Sequence, residues 1–505
     1  MNQADSSSPH LARPGFLYRI DRYSGPLLIA LAALFLIAQV LVRPAVGIAN
    51  NGDFPKMAGP LGLGPAQGTW ESHKQYGEFV YQYERADRYF YNRDFRTAPF
   101  WSSEFFFVKI ARGLQRLFHP GPQFDIRWLG GVYGAFLLLA IGFWIYAFPR
   151  GLRWLCGMAA VLILTDVAYV QYLNSFYMDT PAIIFLILAA GAGVHAAYRP
   201  ANRIFPLVTI VATLLFATSK SQHAAAALWL GLLFIAFAFI RHIRSLRLEW
   251  IAGALILPVA TWSMLHHDTE SYQSTGVFNI VFMRIAPSAP NPLRALEELG
   301  LGRNEMPYLR THAYFPNSPM NYPDWVARFA LRCNHATLLR YYLHHPSVPL
   351  HFLYEDLSVS AADMEPFANL SPDDGYPVDR RASGFSYWSG LRAFLLRKAP
   401  WCFLLLVMAV FGLSAWLFVR SPADRACAVV ALAIQTIAVF EYGVAVLVDA
   451  AEIARHVTIA NMAMDLSILL LLILISRVRV LAPQPAARLK SRRVPAQSRR
   501  SIVVG

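Results

Sequence analysis

Residues 26–54 read PLLIALAALFLIAQVLVRPAVGIANNGDF, and this stretch contains two features that recur along the chain. An apolar run comes first, and a polar turn with a carboxylate, Asn51-Gly52-Asp53, follows it. About 20 apolar residues are enough for a transmembrane helix. The run leads into Arg43 and Pro44 without a small-residue cleavage pattern, so it is predicted to be a retained first helix.

Composition extends this prediction to the whole chain, because 56% of the residues are hydrophobic and only 15% are charged. Such a chain, with several long apolar runs, is polytopic rather than globular. We predict an all-α membrane protein with a bundle of about ten transmembrane helices and two large extracytoplasmic loops that carry amphipathic helices. The predicted spans are roughly 26–44, 128–148, 154–174, 180–198, 204–219, 223–240, 249–265, 400–419, 426–448 and 456–476.

Basic residues predict the orientation. Four short connectors are rich in arginine, and they alternate with acidic and aromatic loops. The positive-inside rule places these connectors and both termini in the cytoplasm, so the net charge of +14 is mainly a topology signal. The basic tail suits anionic membrane lipids as partners, and no nucleic-acid partner is predicted because no binding motif accompanies the charge.

The predicted organisation has five parts. They are a cytoplasmic segment (1–25), helices one to seven (26–265, with the first outer loop at 45–127), a large outer loop (266–399), helices eight to ten (400–476) and a basic cytoplasmic tail (477–505). Residues 76–118 are expected to form amphipathic helices along the membrane surface, or helices packed over the bundle.

Four polar clusters fall at the outer ends of odd-numbered spans. Asp53 follows span one and is a candidate general base or metal ligand, with Asn51 beside it; a solvated loop turn is the alternative. After span three, Asn174 and Tyr177 offer hydrogen-bonding groups, while Asp179 is either catalytic or a cap of the next helix.

The other two clusters are cationic. Lys220 and His223 follow span five, where positive charge on the outer side needs an anionic partner such as a lipid phosphate, or is a lysine reaching to the interface. Arg455 and His456 precede the last span. Arg455 suits bidentate phosphate binding, or an internal salt bridge with Asp449 or Glu452.

Three carboxylates inside predicted spans, Asp166, Glu441 and Asp465, support a different reading. Intramembrane carboxylates are functional candidates and would suit a proton or ion relay in a transporter. A transporter should show inverted repeats, and the sequence has none that we detect. A non-catalytic envelope assembly protein is the third alternative, and it would not need the outer clusters to converge.

Short motifs in this order carry a resemblance to a known family. They are Asn-Gly-Asp-Phe after span one, Asn-Ser-Phe-Tyr after span three, Ser-Lys before His223, Val277 to Phe282 and Leu296 to Leu301 in the large loop, and Ala454-Arg455-His456. The chain resembles bacterial membrane hexosyltransferases of glycan biosynthesis, the WsfD type. These are similar in architecture to GT-C glycosyltransferases, which include the dolichyl-phosphate mannosyltransferases and the aminoarabinose transferases.

The resemblance implies transfer of a sugar from a polyprenyl-phosphate donor to a glycan or lipid acceptor, outside a bacterial cytoplasmic membrane. An acidic residue in the first outer loop is typically catalytic in such enzymes, and Asp53 is the match here. A second acid often stands beside it, whereas Phe54 and Pro55 follow Asp53, and Asp179 stands where Glu is common. The requirement for a divalent metal ion, Mg²⁺ or Mn²⁺, is therefore left open.

The chemistry fits the residue types independently. Displacing a lipid phosphate from an anomeric carbon needs a base for the acceptor hydroxyl and cations for the departing phosphate. Asp53 supplies the base, and Lys220 and Arg455 supply the cations.

Overall fold

The computed structural model describes residues 16–48, 53–69, 87–97, 100–199, 201–240, 246–267, 270–315, 317–358, 369–377 and 380–481. Its α-helices, in chain order, are α1 (Phe16–Val40), α2 (Phe54–Ala58), α3 (Glu104–Phe118), α4 (Arg127–Ala147), α5 (Arg153–Leu164), α6 (Val167–Val170), α7 (Asp179–Tyr198), α8 (Ile204–Ala217), α9 (Ser221–Phe239), α10 (Arg247–His267), α11 (Glu270–Asn279), α12 (Ala286–Ser288), α13 (Pro292–Glu298), α14 (Pro323–Arg332), α15 (His335–His344), α16 (Ser347–Glu355), α17 (Tyr387–Lys398), α18 (Trp401–Arg420), α19 (Arg425–Leu447), α20 (Ile453–His456) and α21 (Thr458–Leu481). Short 3-10 turns lie at Gly59–Leu61, Arg150–Leu152, Arg303–Tyr308, Pro319–Asn321 and Pro372–Asp374, and a π-helical turn lies at Ile280–Ile285.

Eight helices of the described residues are long and apolar enough to cross a membrane. These spans are Tyr23–Val40, Arg127–Ala147, Asp179–Tyr198, Ser221–Phe239, Arg247–His267, Trp401–Arg420, Arg425–Leu447 and Ile453–Ser476. The predicted class, an all-α polytopic membrane protein, is confirmed. Each of the eight matches a predicted span closely, because the length of an apolar run is a strong signal.

The two remaining predicted spans are shorter than expected. Helix α5 has 12 residues and α8 has 14, which correspond to roughly 18 and 21 Å, less than the ~30 Å of a bilayer core. The predicted continuous span 154–174 is wrong: Asp166 interrupts it, and its carboxylate accepts from the backbone N–H of Ala168 at 2.9 Å to start α6. An acid inside an apolar run thus acts as a helix cap.

Helix α7 lies at the centre of the bundle, where its whole transmembrane window is buried. It packs between α4, α8, α19 and α21. The indole of Trp144 on α4 donates to the carbonyl of Ile187 at 3.0 Å, which fixes one of these contacts. A rigid central helix therefore carries Asp179 at its first position.

The first large loop combines a small antiparallel sheet with α3. Strand β1 (Leu63–Gly64) pairs with β2 (Arg88–Tyr91), which pairs with β3 (Gln123–Asp125). The prediction of amphipathic helix across 76–118 is thus confirmed for α3 and wrong for Arg88–Tyr91, which form the partly buried strand β2. Residues 76–86 lie outside the described part of the chain.

Helix α17, from the second large loop, is held to the bundle by a polar clamp. Asp166 accepts from the backbone N–H groups of Trp388 and Ser389 at 3.0 and 2.9 Å. Asp465 accepts from Arg392 Nη1 and from the Trp388 indole, both at 2.7 Å. Two of the three intramembrane carboxylates that favoured a transporter therefore have fixed structural partners.

Candidate active site

Asp53 directly precedes α2 and lies five residues after Ile48, the last described residue of the segment that leaves α1. Its carboxylate does not cap the helix. Instead, Oδ1 accepts from Lys56 Nζ at 2.6 Å and Oδ2 accepts from Arg455 Nη1 at 2.8 Å. Phe54 packs edge-on against Tyr177, with ring centroids 5.0 Å apart, so the turn is anchored to the segment before α7.

Asp179 is the first residue of α7, and the capping alternative does not describe it, because Met178 occupies the cap position. Its Oδ1 lies 3.5 Å from Lys220 Nζ and 3.3 Å from His223 Nε2. Its Oδ2 lies 3.5 Å from Arg455 Nη1 and accepts no hydrogen bond within the described residues. One carboxylate oxygen of Asp179 thus keeps an open acceptor position.

Arg455 joins the two aspartates. Besides Asp53 and Asp179, its guanidinium contacts Glu452 Oε2, at 2.9 Å from Nε and 2.6 Å from Nη2, and lies 4.9 Å from the Tyr177 ring centroid. The predicted salt bridge with Glu452 is therefore present together with the aspartate contacts. Arg455 is only 5% exposed, so its charge is neutralised by carboxylates rather than by water.

Glu452 holds its position at a conformational cost. Its backbone is left-handed, with φ of 53°, a region that non-glycine residues rarely adopt. Such strain is often found at functional sites. The turn between α19 and α20 thus points a glutamate at Arg455.

Glu441 enters the site from α19 and was not among the predicted site residues. Its Oε1 lies 2.8 Å from His223 Nδ1, and its Oε2 accepts from Gln222 Nε2 at 2.8 Å. His223 therefore bridges Glu441 and Asp179. The sequence signal for Glu441 was a carboxylate within an apolar span. Lys56 was also not predicted as a site residue, and it lies on α2, three residues after Asp53.

His456 lies beside Arg455 but faces a different carboxylate. Its Nε2 lies 3.7 Å from Asp449 Oδ2, and Asp449 Oδ1 accepts from Asn279 Nδ2 at 3.0 Å. Burial raises the pKa of the Asp449 carboxyl to about 6, an effect that the charge of Glu452 increases and that hydrogen bonds from Ala451, Asn279 and Ala450 oppose. Asn279, from the Val277–Phe282 motif, thus helps to hold the Asp449 carboxylate in place.

Asn174 was predicted to bind substrate, and in the structure its side-chain nitrogen contacts the backbone while its Oδ1 has no hydrogen-bond partner within the described residues. Its amide donates to the carbonyls of Val40 and Val46 at 2.9 and 2.7 Å, which ties the end of α1 to the segment before α7. A Cβ at Gly130 would stand 2.0 Å from its Oδ1, so this packing requires glycine. Asn51 lies outside the described residues.

The five residues Asp53, Asp179, Lys220, His223 and Arg455 thus come together, and we call them, with Lys56, Glu441 and Glu452, the charged cluster. Comparison with known proteins places the chain in a family. The model of the YfdI N-terminal transmembrane domain matches residues 17–492. The chain belongs to this family.

Solved structures of an oligosaccharyltransferase from Archaeoglobus fulgidus are similar at low identity. One, tethered with an acceptor peptide containing the NVT sequon, is 12% identical, with coverage of 92% of this chain and 51% of that chain and a TM-score of 0.37. Another, AglB in complex with an inhibitory peptide and a dolichol-phosphate, is 13% identical, with 93% and 53% coverage and a TM-score of 0.38. The chain spans about half the length of these proteins.

A search of curated proteins gives no match. The family shown is therefore the YfdI one, and the likeness to WsfD-type hexosyltransferases stays a resemblance.

The charge state of Asp53 follows from its surroundings. Burial alone would raise the pKa of its carboxyl, but the cations of Lys56, Arg455 and Lys220 outweigh burial and hold that pKa well below its usual value. Asp53 is therefore ionised at neutral pH. It becomes a stronger base only when a competing anion draws these cations away.

A divalent metal ion does not fit the cluster. No group of three or more His, Cys, Asp or Glu side chains in the described ranges has the arrangement that a metal ion needs. The guanidinium of Arg455 lies between Asp53 and Asp179, where a bridging cation would be placed. We therefore derive no step that uses a metal.

Glu104 is a further buried carboxyl near the cluster. Ser102 and Ser103 dock the start of α3 onto α8, donating to the carbonyls of Ser219 and Leu215 at 2.6 and 2.9 Å. Glu104 is 0% exposed, and neither carboxyl oxygen has a hydrogen-bond partner within the described residues. Burial raises the pKa of Glu104 well above its usual value; the Tyr133 hydroxyl opposes this, and the charge of Asp179 adds to it.

We expect Glu104→Gln to be more stable than the wild type above pH 7, because glutamine cannot ionise whereas burial opposes ionisation of Glu104, and each unit by which a pKa is raised corresponds to about 1.4 kcal/mol. Because the folded-state pKa is raised, the wild type loses stability as pH rises above the ordinary pKa of 4.5. The gain should therefore vanish near pH 4, where the carboxyl is protonated in both states. Melting temperatures across this pH range provide the measurement, and a Glu104→Gln variant that is less stable than the wild type at pH 8 would contradict the raised pKa of Glu104.

Proposed function

We propose that this chain is a glycosyltransferase that moves a sugar from a polyprenyl-phosphate donor to a glycan or lipid acceptor. The observation that supports it best is the bridge of Arg455 between Asp53 and Asp179. A buried site with two carboxylates around a guanidinium combines proton acceptors with a phosphate ligand. The positive-inside pattern of the sequence supports a reaction on the extracytoplasmic side of a bacterial cytoplasmic membrane.

The cations suit the departing phosphate. Lys220 is 2% exposed and Arg455 is 5% exposed, so a phosphate that reached them would meet positive charge largely screened from water. Electrostatic stabilisation of developing charge is stronger in such a site than in water. Arg455 contributes a planar donor set that can bind two phosphate oxygens at once.

The carboxylates suit the acceptor. In the free cluster Asp53 is neutralised by Lys56 and Arg455, which makes it a weak base. A donor phosphate would compete for these cations and thereby strengthen Asp53 as a base. The donor then prepares the site for proton transfer from the acceptor.

The chemical step has a simple balance. Asp53 takes the proton of the acceptor hydroxyl, the acceptor oxygen bonds to the anomeric carbon, and the bond from that carbon to the phosphate oxygen breaks. The phosphate leaves with the electron pair and is stabilised by Arg455 and Lys220. Asp179 orients the acceptor through Oδ2, which has no hydrogen bond within the described residues.

A transporter is less well supported by the same geometry. A relay through Asp166, Glu441 and Asp465 would need groups free to exchange protons or ions. Asp166 and Asp465 instead hold α17 to the bundle, and Glu441 is hydrogen-bonded to Gln222 and close to His223. The alternative of a non-catalytic assembly protein does not explain why Glu452 has a strained backbone or why Arg455 is buried.

A membrane assay tests the proposal. Membranes that contain the full chain are supplied with a panel of radiolabelled polyprenyl-phosphate sugars and with envelope glycan and lipid extracts as acceptors. We expect label to move from the lipid donor into one acceptor fraction, and to do so only when the chain is present. No transfer with any donor, in membranes where the protein is folded, would refute the proposal.

A further inference from the structure

A second site lies at the end of α1, apart from the charged cluster. A cavity of about 280 Å³ opens between the last turn of α1 and residues 370–376 and 380–385 of the second large loop. Its lining includes Ala38, Gln39, Tyr376, Arg380, Arg381 and Phe385, and no member of the charged cluster. Val46, Val167, Leu370 and Ala382 form an apolar core around it, which gives the cavity a fixed wall.

The polar groups of the cavity favour an anion. Arg380 and Arg381 are exposed, and neither forms an ion pair within the described residues. Two adjacent guanidinium groups without a carboxylate match the oxygens of a phosphate. No described carboxylate lines the cavity, and Asp374, a described acid of the same segment, pairs with Arg43 at 3.3 Å rather than with Arg380 or Arg381.

Gln39 adds an acceptor to these donors. Its side-chain amide nitrogen donates to the carbonyls of Phe35 and Thr165 at 3.2 and 2.9 Å, so its orientation is fixed. Gln39 is 1% exposed, and its Oε1 has no partner within the described residues. A buried acceptor of this kind is satisfied by a hydroxyl, so the best ligand carries a phosphate and a hydroxyl together.

The position of the cavity indicates a lipid. Ala38 and Gln39 belong to the last turn of the span Tyr23–Val40, the level at which lipid phosphates lie. Leu34 is one turn deeper on the same helix face as Ala38 and is 62% exposed. An acyl chain can thus follow Leu34 while the phosphate stays with the arginines.

We infer that this cavity binds an anionic phospholipid, with its phosphate at Arg380 and Arg381, its headgroup hydroxyl at Gln39 and an acyl chain along Leu34. The inference does not depend on the proposed transferase activity. Such a lipid would join the first span to the second large loop, whose Phe385 ring already packs against Phe35 at 5.1 Å.

Native mass spectrometry of the full chain released from nanodiscs tests the inference. The nanodiscs contain phosphatidylcholine with increasing phosphatidylglycerol, and bound phosphatidylglycerol is counted for the wild type, for Arg380→Gln with Arg381→Gln, and for Arg397→Gln with Lys398→Gln. The last pair is the matched control, because it removes two exposed charges from α17 away from the cavity. We expect the cavity variant to need at least about tenfold more phosphatidylglycerol for equal occupancy, and the control to behave as the wild type.

A variant without a charge change separates the cavity from general electrostatics. Ala38→Trp places a bulky side chain at an exposed position of the cavity and should also remove the bound lipid. Equal lipid occupancy in the wild type and both cavity variants would overturn the inference, and so would an equal loss in the control. Displacement of the lipid by millimolar inorganic phosphate would show a soluble-anion site and overturn the lipid assignment.

Discussion

Replacing Asp53 by Asn is expected to reduce sugar transfer by a factor of about 10² to 10⁴, the range typical of general-base loss. Asn keeps the size of the side chain, and its one carbonyl oxygen can still accept from Lys56 or Arg455, which donate to separate oxygens of Asp53 in the structure. It cannot take a proton from an acceptor hydroxyl. The measurement is the initial rate of transfer at saturating donor, with melting temperature as the check on folding.

Two companion variants make this test specific. Asp373→Asn changes an exposed aspartate in the second large loop and should keep full activity. Asp179→Asn should weaken acceptor use, since Asp179 keeps one carboxylate oxygen without a hydrogen bond within the described residues. Wild-type rates for Asp53→Asn would remove Asp53 from the catalytic role, even if the chain proves to be a transferase.

The pH dependence of Asp53 provides a second view of the same role. In the free protein its neighbours hold the pKa of Asp53 well below the usual value, so kcat/KM should show no loss from Asp53 protonation down to about pH 4. With donor bound, the cations turn to the phosphate and the pKa of Asp53 rises. The acidic limb of kcat should therefore lie at higher pH than that of kcat/KM.

The spans could be predicted from the sequence because hydrophobic length is a local property. Where the third apolar run departs from its predicted span, a single polar residue is responsible. Asp166 divides the third apolar run by capping α6, and its second oxygen is used by backbone N–H groups more than 200 residues away. The capping signal was local, but the partner on α17 could not be read from residues near Asp166.

The charged cluster illustrates the same limit. The alternation of spans brought Asp53, Asp179, Lys220 and Arg455 to one face, so their convergence could be predicted from topology alone. Asn174 stands in an equally suggestive motif, yet its amide is used by the carbonyls of Val40 and Val46. Whether a polar side chain faces the site or the backbone depends on contacts between residues more than 100 positions apart in sequence. Composition and motif spacing do not predict such contacts.

Burying the side chains of the charged cluster costs desolvation free energy, and a role in ligand binding explains this burial better than a role in stability does. Buried ion pairs are often no more stabilising than apolar residues of the same volume, because taking charges out of water offsets their attraction. Asp179, Lys220 and Glu441 are nevertheless almost fully buried. Together with the strained backbone of Glu452, this favours a site arranged for a ligand.

Arg455 is where that arrangement should be most sensitive to change. Arg455→Ala removes the partner shared by Asp53, Asp179 and Glu452 and leaves buried carboxylates uncompensated, a loss of about 3 to 5 kcal/mol in the free energy of unfolding. A lower melting temperature is therefore expected, together with loss of transfer. Because this variant combines both effects, it cannot assign a role by itself.

The variant Arg455→Lys separates the effect on stability from the effect on transfer. Lysine keeps the charge, so the protein should fold, but one ammonium cannot reproduce the guanidinium contacts with Asp53 and Glu452 or bind two phosphate oxygens in a plane. We expect kcat/KM for the donor to fall by about 10² to 10³, the usual effect of removing one donor to developing charge, with the acceptor KM little changed. Arg294→Lys, in an exposed pair with Glu298, is the matched control and should change neither value. A wild-type donor kcat/KM for Arg455→Lys would show that Arg455 only neutralises the aspartates, and the phosphate would then have to be held by Lys220 and Lys56.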